Sequence, residues 1–193
     1  IRSPKSYNSQ VGVPLSVFNL AGNHKLAIFE AGISQPGEMQ QLEKIIQPTA
    51  GIFTNIGAAH DENFIDHRQK AAEKLQLFVN CKKLIYCSDN FEVEQKLISS
   101  GLNKKVEMIS WGRKKDAWLQ VTDTSVTQSG TQVNAIKSGE PLSIFIPFID
   151  TASVENIMHC WAYMLSENIS QPVIAERIKK LSSIEMRLEL KEG

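Results

Sequence analysis

Cysteine is scarce in this chain: Cys81, Cys87 and Cys160 are the three present, and none forms a C-x-x-C pair. An odd count without that spacing excludes a disulfide framework or a zinc ribbon as the organising device. A reduced, cytoplasmic setting is the expectation. Excess charge is also missing, with 21 basic residues against 21 acidic ones. The basic clusters Lys82-Lys83, Lys104-Lys105 and Arg113-Lys114-Lys115 are short and scattered. They build no field that would draw nucleic acid. No apolar run approaches the ~20 residues that span a bilayer, and no signal peptide is visible. The eleven glycines include no G-x-x-x-x-G-K-[ST] loop, so these residues carry no recognisable triphosphate cradle. The chain opens on Ile1 and closes on "LELKEG", which reads as a segment excised from something longer.

What is present is an ordinary globular composition. The 193 residues are 42% hydrophobic and 22% charged, enough to bury a sizeable core. The first two thirds alternate strand and helix patterns. Strands are expected at 25–32, 50–55, 83–89 and 106–112, and helices at 36–48, 66–79 and 91–101. That alternation implies an α/β fold with a mostly parallel sheet flanked by helices. Further strands at 117–123, 130–136 and 141–147, separated by "QSG" and "KSGEP" turns, read as a small antiparallel β meander. Helices over about 153–167 and 172–181 close the pattern.

In open α/β sheets, ligands bind beyond the carboxyl ends of strands. Glu30, Asn55 and Asp89 fall at or just past such ends. The stretch "GIFTNIGAAHDENF", residues 51–64, turns from an apolar strand into a polar hook carrying Asn55 and His60. Glu30 reads either as a ligand-edge carboxylate or as a solvated strand end. His60 reads either as a functional group or as surface filler. Lys74 falls on a helical wheel among Ala71, Leu75 and Phe78. It either snorkels out of that face or is held partly buried with a lowered pKa. Asn156 lies near a helix N-terminus, where polar ligands are favoured but asparagine is common.

The segments "SYNSQVGVPLSVFNL", "AIFEAGISQPGEM", "PTAGIFTNIGAAHDENF", "AAEKLQLF", "SVENIMHCWAYML" and "MRLELKEG" occur in an order that resembles the Mur ligase family of cell-wall ligases. The resemblance covers nearly the whole chain. It implies the P-loop NTPase-like central, ATP-binding domain, lacking the upstream phosphate loop and the N- and C-terminal domains. Within the family it is similar to the ligases that add D-alanyl-D-alanine to UDP-N-acetylmuramoyl-tripeptide, including the form fused to an alanine racemase. By resemblance, Glu30 helps hold a magnesium ion near the ATP γ-phosphate, His60 contacts a second magnesium, and Lys74 is the lysine carried as a carbamate. Asn55 supports the metal and phosphate edge, Asn156 lies at the adenine, and Arg187 reaches the nucleotide phosphates. Asn8 and Ser9 stand at the muramoyl substrate. The chain departs from the family pattern at Ser9, where an asparagine is usual, and at Met186, where a glycine precedes the arginine. A folylpolyglutamate synthase-like ligase shares such a metal site and stays open as an alternative. So does an α/β binding module that has lost catalysis.

Overall fold

The computed structural model describes residues 1–4, 7–57 and 60–182. Six strands form one mixed sheet in the order β1 to β6: Ala50–Phe53, Lys83–Cys87, Glu107–Gly112, Leu119–Thr127, Gly130–Lys137 and Glu140–Ile146. Six α-helices accompany them: α1 Gly12–Val17, α2 Glu38–Ile46, α3 His67–Leu75, α4 Phe91–Ser100, α5 Thr151–Ser166 and α6 Gln171–Ile178. The α/β class and the late meander are therefore as the periodicity predicts. The chain divides into two compact units, Ile1–Leu84 with Asn90–Met108, and Ile85–Asp89 with the chain from Ile109 onward.

In the first unit, helices form where apolar residues recur at helical spacing and where a cap is available. Met39 and Leu42 are fully buried on α2. That helix stops at Gln47, which takes a left-handed conformation at φ 47°, one residue before Pro48. Helix α3 starts because Asp66 caps it, its carboxylate accepting the Gln69 N–H at 2.7 Å. Past Leu75 the chain tightens into a 3-10 turn, Gln76–Phe78, which sends Leu77 and Phe78 into the core. The Phe78 ring meets Phe53 of β1 edge-on, with centroids 6.2 Å apart. On β1, Gly51 leaves room for that ring, and a Cβ at this position would overlap it.

One expected strand is not there. Residues 25–32 form a single bridge, Arg2 with Ile28, closed by Ser3 N–H to the Ile28 carbonyl and Ile28 N–H to the Ile1 carbonyl. Leu26 and Ile28 stay exposed. Helix α1 was not legible in the sequence. It is short and carries Pro14 in its first turn, where the missing N–H costs nothing.

In the second unit, β3 and β4 are parallel but overlap only by their ends, with Trp111 opposite Leu119 and Gly112 opposite Gln120. The chain steps sideways by one strand and continues in the same direction, so no crossover helix is needed. Strands β4, β5 and β6 then pair antiparallel. Thr127 faces Gly130 across one two-residue turn, and Lys137 faces Glu140 across the other. In the second turn Ser138 and Gly139 both have positive φ, 52° and 87°, as a type I′ hairpin requires. Residues of all three strands pack with Ile157, Met158, Trp161, Ala162 and Leu165 of α5 and with Ile174 and Ile178 of α6. Within this core Trp111 Nε1–H donates to His159 Nδ1 at 2.9 Å, which assigns the buried ring its acceptor nitrogen. Helix α5 begins at Thr151, earlier than the pattern suggests, because the Asp150 carboxylate accepts the Ser153 N–H.

Replacing Gly51 with alanine forces the Phe78 ring out of its packing. Urea unfolding of the Gly51→Ala variant is expected to show a loss of about 1–3 kcal/mol, the usual range for an overpacked core.

Candidate functional site

The polar hook between β1 and α3 is built by its own helix. Residues 54–57 leave β1 without secondary structure. His60 sits in the left-handed region at φ 64°, where an ordinary residue is uncommon, and Asp61–Asn63 make one 3-10 turn. On α3, Lys70 and Lys74 are four residues apart and so share a face. Both reach the hook. Lys74 Nζ donates to the Asn55 carbonyl at 2.9 Å. Lys70 Nζ donates to the Gly57 carbonyl at 2.5 Å and to Asp61 Oδ1 at 2.6 Å. It also lies 5.7 Å from the centroid of the Phe64 ring.

The helical wheel places Lys74 inside the apolar face. The structure gives that position to its neighbour one turn earlier: Lys70 is 2% exposed, while Lys74 is half-buried. A fully buried ammonium is tolerated only with a paired anion and satisfied donors, and Asp61 with the Gly57 carbonyl meets that need. The ion pair with Lys70 and the bond to His67 hold the Asp61 carboxyl below its ordinary range. Its second oxygen lies 3.2 Å from His67 Nε2, and His67 Nδ1 in turn lies 3.6 Å from a Glu92 oxygen on α4. Lys74 faces the opposite balance. Burial first, and the Lys70 cation second, push its amine below the ordinary lysine range, with the Asp61 charge acting weakly the other way.

A second pairing joins two other expected residues. Asn8 Nδ2 donates to Glu30 Oε1 at 2.8 Å, and the Gly32 N–H donates to the Asn8 carbonyl at 2.8 Å. Glu30 is exposed. Ser9 is used locally, its hydroxyl accepting the Gly12 N–H at 3.2 Å where α1 begins. Asn55 and His60 present exposed side chains, the latter 4.0 Å from Glu62. Among the described residues, no three His, Cys, Asp or Glu side chains converge as a metal cage. Asp89, expected at a ligand edge, accepts the Arg113 N–H on both oxygens, at 2.9 and 3.0 Å, so it fixes the loop after β3. Asn156 is exposed on α5 in the second unit. A cavity of about 270 Å³ in that unit is lined by Asp89, Arg113, Thr124, Thr151 and Glu155 among others, and not by Asn156. Arg187 and Met186 lie outside the described residues.

Lys70 and Asp61 are what sequence reasoning missed. The i, i+4 spacing of the two lysines and the acid beside His60 were the available signals.

Residues 2–164 match the family described as Mur ligase middle domain, and the chain belongs to that family. The UDP-N-acetylmuramoyl-tripeptide--D-alanyl-D-alanine ligase of Bacillus subtilis (strain 168) is 28% identical over 188 residues, covering 96% of this chain and 39% of the relative. MurF from Acinetobacter baumannii superposes with a TM-score of 0.86 at 18% identity, over 100% of this chain and 42% of that one. MurF from Thermotoga maritima in complex with ADP gives 0.80 at 17% identity, over 100% and 44%. At such identities the structural likeness is one of fold. The chain spans about two fifths of the length of these relatives. No helix among the described residues is long and apolar enough to cross a membrane.

The lowered Lys74 pKa makes a stability prediction. Between that pKa and the ordinary lysine value near 10.5, the unfolded chain binds the proton that the folded chain has released. Stability therefore gains from this group as pH rises through that window, and the penalty of the buried cation is fully present below it. Urea unfolding across neutral to alkaline pH should show this gain in the native sequence and its loss in Lys74→Met.

Proposed function

We propose that these 193 residues are the central, ATP-binding part of a longer ligase that joins D-alanyl-D-alanine to UDP-N-acetylmuramoyl-tripeptide. The observation that carries this reading is the division of labour on α3. Two lysines share one face: Lys70 is neutralised by Asp61, while Lys74 donates to the uncharged Asn55 carbonyl. Burial first, and repulsion from the Lys70 cation second, disfavour the Lys74 ammonium. Only a neutral amine can add carbon dioxide. Its lone pair forms the C–N bond, one proton leaves to solvent, and the cation is replaced by an anion of the kind a metal accepts.

In the proposed reaction the tripeptide carboxylate takes the γ-phosphoryl group of ATP, releasing ADP. The D-alanyl-D-alanine amine then attacks the acyl carbon, phosphate leaves, and the amine gives up a proton. The residues present fit magnesium, a small hard cation that keeps waters and phosphate oxygens and uses few protein ligands. Glu30, an exposed carboxylate, would help hold one ion and His60, an exposed imidazole, would contact a second, and Lys74 as a carbamate would add an anionic oxygen. Magnesium, when bound, supplies charge neutralisation at the transferring phosphoryl group. Asn8 orients the Glu30 carboxylate through one oxygen, and an ionised carboxylate retains further acceptor sites. Asn55, Asn156 and Arg187 are assigned to the nucleotide, and Asn8 and Ser9 to the muramoyl substrate.

Three measurements test this. In the full-length enzyme, Lys74→Ala should reduce turnover by orders of magnitude, and a short-chain carboxylate added to the assay should restore part of it. Activity untouched by the substitution overturns the Lys74 role. Glu30→Ala and His60→Ala should also cut turnover by orders of magnitude while leaving the unfolding midpoint near native, because both side chains are exposed. Residues 1–193 alone should bind ATP weakly or not at all by calorimetry and release no phosphate with both substrates present.

A further inference from the structure

We propose that Lys70 is a positioning residue for the hook: its buried ammonium ties the Gly57 carbonyl to the Asp61 carboxylate and so fixes the backbone on which His60 is carried. This inference rests on the ligase reading for its consequence, but its geometry stands by itself. The two acceptors lie on either side of His60 in sequence, at 2.5 and 2.6 Å from one nitrogen. Lys70 is 2% exposed and lies against Phe64, so its ammonium is withdrawn from water, while Asp61 stays 38% exposed. The hook needs such a clasp. His60 occupies a left-handed conformation that ordinary residues rarely adopt, and its ring lies 4.0 Å from the Glu62 carboxylate. Asp61 is held from the other side by His67, whose second nitrogen faces Glu92 of α4. The hook is thereby tied to α3 through one carboxylate held by two side chains of that helix. Lys74, one turn further along α3, reaches the Asn55 carbonyl at the start of the hook. Lys70 therefore secures the hook beyond the point that Lys74 touches.

The experiment uses the full-length enzyme with Lys70→Met, which keeps the apolar stem and removes the charge, and Lys70→Arg, which keeps the charge. Hydrogen exchange is read by mass spectrometry without ATP or magnesium. The expected result for Lys70→Met is at least tenfold faster exchange over residues 57–66, with β1 and α4 unchanged. In turnover assays kcat should fall at least tenfold, KM for the muramoyl substrate should stay within twofold, and the magnesium concentration for half-activation should rise. Lys70→Arg should recover part of the exchange protection and of kcat. Unchanged exchange over the hook overturns the proposal. So does faster exchange spread evenly over the unit with kcat falling only as the folded fraction falls, since Lys70 is then a general stabiliser. If the native full-length protein shows no ATP-dependent turnover with these substrates, the ligase reading fails, while the exchange result still decides the clasp.

Discussion

A buried ammonium dictates the layout of the first unit's polar edge. Lys70 cannot lose its water unless an anion and acceptors meet it, so Asp61 and the Gly57 carbonyl are drawn onto α3. With Asp61 committed, Lys74 on the same helix face makes its bond to a neutral carbonyl. His60, which lies between those acceptors in sequence, takes a left-handed conformation uncommon for a residue other than glycine. The Lys70–Asp61 pair thus anchors the hook one helical turn from Lys74, whose amine is held below the ordinary lysine range first by burial and then by the Lys70 cation.

The sequence carried most of the architecture because its signals are local. Periodicity found α2, α4, α5 and the meander, and Gly101 ends α4 in the left-handed conformation that glycine favours. The failures are physical. Residues 25–32 read as a strand, but a strand is defined by its ladder, a non-local pairing, and here the pairing is the single Arg2–Ile28 bridge. Helix α1 is six residues long, too short for a periodic signal. The Asp150 cap extended α5 by two residues beyond the expected start.

The candidate site was legible only in part, for a related reason. Motif order pointed to Glu30, His60 and Lys74, and Asn8 does reach Glu30. A helical wheel, however, treats lysine as a misfit in an apolar face and cannot weigh which of two will find an anion. That depends on Asp61, nine residues before Lys70 and on a different element. The family match over residues 2–164 agrees with the motif order, while the electrostatics behind it emerge from the folded contacts.

The sideways step from β3 to β4 has a consequence for how the second unit assembles. Strands β4, β5 and β6 follow one another through two-residue turns, so the loops that bring them together are short and their closure costs little entropy. The segment Ile85–Asp89 belongs to the same unit but comes from far earlier in the chain, with α4 intervening. Contacts of low sequence separation form fastest. The meander's contacts are thus the most local in the unit, and those of the distant strand close a much longer loop.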